Sequence, residues 1–174
     1  MNLANRLTLI RVALIPVFLA VLYIGFPGSN YVAMAVFILA GLTDIADGYV
    51  ARKSGQVTDF GTFTDPLADK VLVVSAMLWF VEQGAMPAWV ALIVIIREFM
   101  VTALRLAAVG NGRVIAAGIS GKIKTVVTII CLNAMFLQLR PWMVYLCIAA
   151  ITLTTIVSGA EYFIRNKDVL KQKK

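Results

Sequence analysis

The chain alternates between long apolar runs and short polar breaks. Cut at Pro, Gly and clustered charge, it leaves six runs: 7–26, 31–53, 65–81, 86–109, 119–137 and 141–164. A helix needs roughly 20 residues to cross ~30 Å of hydrocarbon at 1.5 Å per residue, and each run comes close to that length. The breaks PGSN, EQGA and QLR are short, as between antiparallel neighbours. No alternating ten-residue pattern recurs, so the strands of a membrane barrel are not expected. The pattern predicts an all-α, polytopic membrane protein with six transmembrane helices, one domain over residues 1–174.

Composition agrees. Of 174 residues, 61% are hydrophobic and 14% charged, against about 45–50% apolar in soluble domains. Residues 1–6 hold one Arg and no small-residue cleavage pattern follows the first run, so 7–26 reads as a retained span rather than a signal peptide. The net charge of +7 is distributed as in a membrane protein, not a nucleic-acid binder. Threading six spans puts Arg6, Arg52, Lys53, Arg113, Lys122, Lys124, Arg165, Lys167, Lys171, Lys173 and Lys174 on one side and only Arg140 on the other. The positive-inside rule then places both termini in the cytoplasm. The basic tail KDVLKQKK is expected to rest near anionic lipid headgroups.

Histidine is absent, which excludes Ser-His-Asp triads, phosphohistidine intermediates and His-ligated metals. Cys131 and Cys147 lie inside apolar runs without a CxxC spacing and read as small buried hydrophobes that say nothing about compartment.

The second run has only thirteen residues before Asp44, in the stretch TDIADGYVAR. It can cross a bilayer only if its helix continues through the acids to about Lys53, which puts Asp44 about 13 Å inside that end. Positions 44, 47, 48 and 51 then form one stripe of two carboxylates, a Gly and an Ala, with Arg52 beside it. A second acidic pair follows in GTFTDPLADK, where Gly61, Asp65 and Asp69 are spaced four apart. Pro66 is expected in the first turn of the third helix or just after an Asp65 cap.

Four carboxylates at close quarters need a counter-charge. The available ligands are oxygen only, which suits Mg²⁺ or Mn²⁺, or Ca²⁺, and argues against zinc. Two divalent ions would balance the four charges. The plainer reading pairs Asp44 and Asp47 with Arg52 or Lys70 and makes Asp65 a helix cap; it does not explain four acids in register with two glycines.

Asp44, Asp47, Gly48, Ala51, Arg52, Gly61, Asp65 and Asp69 fit the pattern DxxDGxxARx₈GxxxDxxxD without gap or substitution. In this the chain resembles the CDP-alcohol phosphotransferases, integral membrane enzymes of six helices. The resemblance implies that an alcohol attacks the lipid-side phosphorus of a CDP-activated lipid and CMP leaves. It implies that Asp44, Asp47 and Asp65 hold metal, and that Asp69 touches the second metal and acts as general base. Gly48, Ala51, Arg52 and Gly61 would lie against the cytidine and its pyrophosphate. Such roles are physically reasonable, since metal ions neutralise pyrophosphate, Arg grips phosphate with parallel hydrogen bonds, and an alcohol near neutral pH needs a base.

The fourth and fifth runs carry IIREFMVTALR and GISGKIKT, so Arg97, Arg105, Arg113, Lys122 and Lys124 gather toward the cytoplasmic side. A small anionic acceptor needs such a cationic pocket and a neutral one does not. Arg97 and Glu98, near mid-span, each need a partner or a wet cavity, and an ion pair within the bundle explains them as well as substrate contact does. NRLTLIRVALIP, DPLADK, REFMVTALR, GKIKT and SGAEYF also resemble the branch of the family that uses sn-glycerol 3-phosphate. That resemblance implies CDP-diacylglycerol as donor, deprotonation of the acceptor's sn-1 hydroxyl by Asp69, and an acceptor-phosphate pocket drawn from Arg105, Arg113, Lys122 and Lys124, with Arg97 nearby. Asn5 and Thr8 would edge the nucleotide pocket or simply begin the first helix. It further implies a homodimer in a bacterial cytoplasmic membrane with the active site facing the cytoplasm.

Three rivals remain at this level: the same chemistry with another acceptor such as inositol phosphate, a divalent-cation transporter, and a non-catalytic scaffold. A transporter commonly has two related halves, whereas these acids have no counterpart in residues 110–174. A scaffold built on small-residue packing has no need of four acids.

Overall fold

The computed structural model describes the backbone of residues 3–54, 59–110, 115–116 and 118–170, and the side chains of 9–43, 70–110, 115–116 and 118–168. Among these residues the fold is all-helical: α1 (Leu3–Ile24), α2 (Ser29–Ser54), α3 (Asp59–Glu82), α4 (Ala88–Gly110), α5 (Ile119–Phe136) and α6 (Pro141–Arg165), then a 3₁₀ turn at Lys167–Leu170. No strand occurs among them.

The punctuation follows the backbone chemistry. Gly25 and Gly28 take φ of +67° and +87° between α1 and α2, values that a side chain disfavours. The α3 terminus is a Schellman turn: Gly84 at φ +70° donates to Val81 O at 3.0 Å and Ala85 donates to Phe80 O at 2.9 Å. Pro141 opens α6 in the first turn, where its missing N–H costs nothing.

One expectation is corrected. α3 begins at Asp59, not at Asp65, so Pro66 lies seven residues inside the helix rather than in its first turn. The helix therefore continues across the one backbone hydrogen bond that Pro cannot donate. The sequence reading stopped at Pro because it gave that missing bond more weight than the helical neighbours on both sides.

The described residues fall into two compact units. In the first (Met1–Ala76 with Phe136–Gln138), α1 packs on α2. Arg11, Ile15, Phe18 and Leu22 form the buried stripe of α1, and Ala33, Phe37 and Ala40 that of α2. Phe18 stands 5.9 Å from both Phe37 and Phe136, ring centre to ring centre, the spacing of favourable aromatic contact. Arg11 is wholly buried in this stripe and engaged in an interaction there.

In the second unit (Met77–Met135 with Leu139–Lys174), α4 packs on α6. Val90, Val94, Val101, Leu104 and Ala108 are buried along α4, and Ile148, Ile151, Thr155, Ser158 and Tyr162 along α6. The spacings of three and four are one helical face. Hydroxyls of α5 and α6 bond back to their own backbone: Thr152 to Ile148 O, Thr155 to Ile151 O and Thr128 to Lys124 O, at 2.6–2.8 Å. A hydroxyl placed in hydrocarbon would find no other partner.

Helices α5 and α6 are each long and apolar enough to cross a bilayer, and shorter apolar stretches occupy Leu9–Ile24 and Ser29–Thr43. The exposed side chains include Phe99, Leu106, Tyr145 and Ile164, each about 70% accessible. Apolar surface of that kind suits a lipid environment.

Candidate functional site

Helix α2 runs without interruption through the acidic stretch to Ser54, as crossing a bilayer requires. Its register puts positions 44, 47, 48 and 51 within an arc of about 100°. Helix α3 places 61, 65 and 69 within about 80° of one another. The side chains of Asn5, Thr8, Asp44, Asp47, Gly48, Ala51, Arg52, Gly61, Asp65 and Asp69 lie outside the described residues, and Arg113 lies outside them altogether. For all of these except Arg113 the structure supplies helix and register.

The basic residues of α4 and α5 are described in full. Arg97 Nη1 and Lys124 Nζ both donate to Glu98 Oε1, each at 2.8 Å. Lys124 is 4% exposed, so its ammonium is held away from water by a carboxylate on the neighbouring helix. Because they share one oxygen, the two cationic nitrogens stand no more than twice 2.8 Å apart. Without the carboxylate, two charges at that distance repel by about 3 kcal/mol at an effective dielectric of ~20.

Arg97 also has no room to leave. A Cβ at Gly121 on α5 would lie 3.3 Å from its Nη2, and one at Gly159 on α6 would lie 3.3 Å from its Cγ. The two glycines let an arginine thread between α5 and α6. Its Nε is buried and makes no hydrogen bond among the described residues.

Arg105, two turns on along α4, is exposed. Its Nε donates to the Tyr162 hydroxyl at 3.0 Å. Tyr162 is 6% exposed and belongs to the Val101–Leu104 cluster. An opening of about 150 Å³ adjoins it, lined in part by Ser120, Glu161, Arg165 and Asn166; Arg165 bonds Glu161 at 2.8 Å. The opening is roomy enough for a small polar molecule.

The structure thus sorts the sequence-predicted cations. Arg97 and Lys124 meet on one carboxylate, and Arg105 is tethered separately by Tyr162. Lys122 is exposed while Lys124 is buried, because two residues along a helix turn about 200°. Sequence reasoning gave no role to Tyr162, Gly121 or Gly159. Their one signal was that GKIKT contains Gly121 and SGAEYF contains Gly159 and Tyr162.

Residues 1–158 match the CDP-alcohol phosphatidyltransferase family. The chain is 41% identical to a Bacillus subtilis protein named CDP-diacylglycerol–glycerol-3-phosphate 3-phosphatidyltransferase, over 98% of this chain and 97% of that one. It is 41% identical to a probable phosphatidylglycerophosphate synthase of Mycobacterium tuberculosis, over 94% of this chain and 81% of the other. A Haemophilus influenzae protein bearing the first of those names is 39% identical, over 90% and 85% of the two chains.

Proposed function

The chain belongs to the CDP-alcohol phosphatidyltransferase family, and on that premise we propose that it transfers the phosphatidyl group of CDP-diacylglycerol to sn-glycerol 3-phosphate, giving phosphatidylglycerophosphate and CMP. The observation that carries this reading is the near end-to-end match to the B. subtilis protein of that name.

The donor set fits hard divalent cations: Asp44, Asp47, Asp65 and Asp69 offer oxygen alone, on faces set by two uninterrupted helices. Those four would hold two Mg²⁺ or Mn²⁺ ions, which when bound neutralise charge on the pyrophosphate and align attacking and leaving oxygens.

The rest falls to the chain's own residues. Asp69 accepts the proton of the acceptor's sn-1 hydroxyl. That oxygen forms a bond to the phosphorus bearing diacylglycerol; the bond from this phosphorus to the CMP oxygen breaks, and CMP keeps the electron pair. Arg52 donates parallel hydrogen bonds to pyrophosphate oxygens, while Gly48, Ala51 and Gly61 let the nucleotide approach the helix backbone. Asn5 and Thr8 edge the nucleotide pocket. Arg97, Arg105, Arg113, Lys122 and Lys124 supply the field that gathers and holds the acceptor's phosphate.

The surrounding architecture we propose is a single domain of six spans, with both termini and the active site on the cytoplasmic face of a bacterial cell membrane, working as a homodimer. Basic residues concentrated at one end of the spans support the orientation.

Release of CMP by purified protein, with and without sn-glycerol 3-phosphate and divalent metal, tests the reaction. Release is expected only with all components present. Release driven by inositol phosphate but not by glycerol 3-phosphate would reassign the acceptor.

A further inference from the structure

Glu98 is the one acid of α4, and the reaction above gives it no task. Its Oε1 accepts from Arg97 on its own helix and from Lys124 on α5, both at 2.8 Å. A lysine ammonium at the end of four flexible carbons ordinarily samples many positions. Here it is 4% exposed and fixed on one oxygen. The arginine is fixed three ways, by the same oxygen and by the close approach of Gly121 and Gly159.

We propose that Glu98 is a positioning residue for the acceptor: by holding Arg97 and Lys124 on one oxygen, it sets the spacing of two cations in the site that receives the acceptor's phosphate. The proposal rests on the reading of those cations as the acceptor's phosphate site.

Two features support it. First, the bridge leaves donors over. Lys124 has two further N–H bonds and Arg97 has its Nη2 and a buried Nε without a hydrogen bond among the described residues. The bridge thus holds two cations with unused donors side by side. Second, the shared carboxylate brings two cations together at one point. Cations so gathered favour a phosphorylated alcohol over a neutral one, and the carboxylate prevents the mutual repulsion that would drive them apart.

A purely structural ion pair would affect folding and the amount of active enzyme. A positioning residue affects the affinity for one substrate. Glu98→Gln keeps the shape and removes the charge. In purified protein at saturating CDP-diacylglycerol, it is expected to raise KM for glycerol 3-phosphate about ten-fold, the scale of a lost charged hydrogen bond, with kcat within about two-fold and KM for CDP-diacylglycerol unchanged. Glu98→Asp keeps the charge but is one carbon too short to reach both cations as before, and is expected to raise the same KM by a smaller factor.

A Glu98→Gln protein whose KM for glycerol 3-phosphate matches wild type overturns the proposal, whatever its kcat or melting temperature. If that variant does not fold, an unchanged KM in Glu98→Asp overturns it instead, and a raised one supports it. A wild-type protein that releases no CMP on glycerol 3-phosphate overturns the functional reading and this proposal with it; normal wild-type kinetics with unmoved variants overturn this proposal alone.

Discussion

Arg105 meets Tyr162 twice over: its Nε donates to the phenol oxygen at 3.0 Å, and its guanidinium carbon stands 5.5 Å from the centre of the same ring. The tyrosine is the anchored partner, buried beside Val101 and Leu104, and its carbonyl accepts from Asn166 Nδ2 at 2.8 Å. The arginine is the exposed one. With Nε engaged, the two terminal nitrogens remain without a partner among the described residues, and these are the pair that matches two oxygens of a phosphate.

Tyr162→Phe keeps the ring and removes the acceptor. The expected loss is about 1 kcal/mol in binding, or roughly a five-fold rise in KM for glycerol 3-phosphate with little change in melting temperature. Tyr162→Ala also empties part of the Val101–Leu104 cluster and is expected to lower stability by about 3–5 kcal/mol. Steady-state CMP release and thermal melting of the two proteins separate the effects. An unchanged KM in the Phe variant would remove the tether from the account of acceptor binding.

Glycines distinguish the crowded arginine from open helix. Gly→Ala inside a helix ordinarily gains up to about 1 kcal/mol. At Gly41 on α2 an added Cβ meets nothing within 4 Å, so Gly41→Ala is expected to raise the melting temperature. At Gly159 it comes 3.3 Å from Arg97 Cγ, near the stiff root of a side chain already held at its far end by Glu98. Gly159→Ala is therefore expected to be destabilising by about 1 kcal/mol, within the usual range for overpacking. Melting curves in one detergent test both signs.

The two lysines of α5 differ in solvent exposure, so salt should tell them apart. Lys122 is exposed and Lys124 is 4% exposed on Glu98. Exposed charge is screened over about 10 Å at 0.1 M ionic strength and about 3 Å at 1 M, while buried charge is screened much less. Lys122→Met is expected to raise KM for glycerol 3-phosphate a few-fold at low salt and hardly at all near 1 M. Lys124→Met should keep most of its effect throughout. Equal salt dependence in the two variants would place both lysines in the same environment.

Much of this was legible beforehand, for a physical reason. The bilayer imposes length, so the runs 119–137 and 141–164 anticipate α5 and α6 to within a residue. The same length requirement predicts that α2 continues through Asp44 and Asp47, and α2 does continue to Ser54. Pro66 misled because a local rule about a missing N–H was allowed to end a helix that its neighbours sustain. Lys122 and Lys124 were grouped by sequence proximity, although two residues on a helix point apart. The Arg97–Glu98–Lys124 bridge was half visible: two mid-span charges demanded partners, but only the contact between Lys124 of α5 and Glu98 of α4 could say that Lys124 was one of them. Tyr162 and the two glycines act through contacts between helices, for which one sequence carries no record.

The acids carry the sharpest separation of roles. Asn has the shape of Asp and one carbonyl oxygen that can still meet a cation, but no carboxylate to take a proton. If Asp69 is the base, Asp69→Asn loses about a hundred-fold or more in kcat, the usual scale for general-base catalysis, and adding metal does not restore it. If Asp44 only holds metal, Asp44→Asn shifts the Mg²⁺ or Mn²⁺ requirement upward, and excess metal recovers part of the rate. Chelation with EDTA is expected to abolish CMP release in wild type, and either metal to restore it. The comparison turns on titrating metal in both variants rather than on loss of activity, since any damaged site loses activity. An Asp69→Asn protein that releases CMP at the wild-type rate excludes Asp69 as the base. An Asp69→Asn protein rescued by metal as fully as Asp44→Asn makes Asp69 a ligand and leaves the proton to another group.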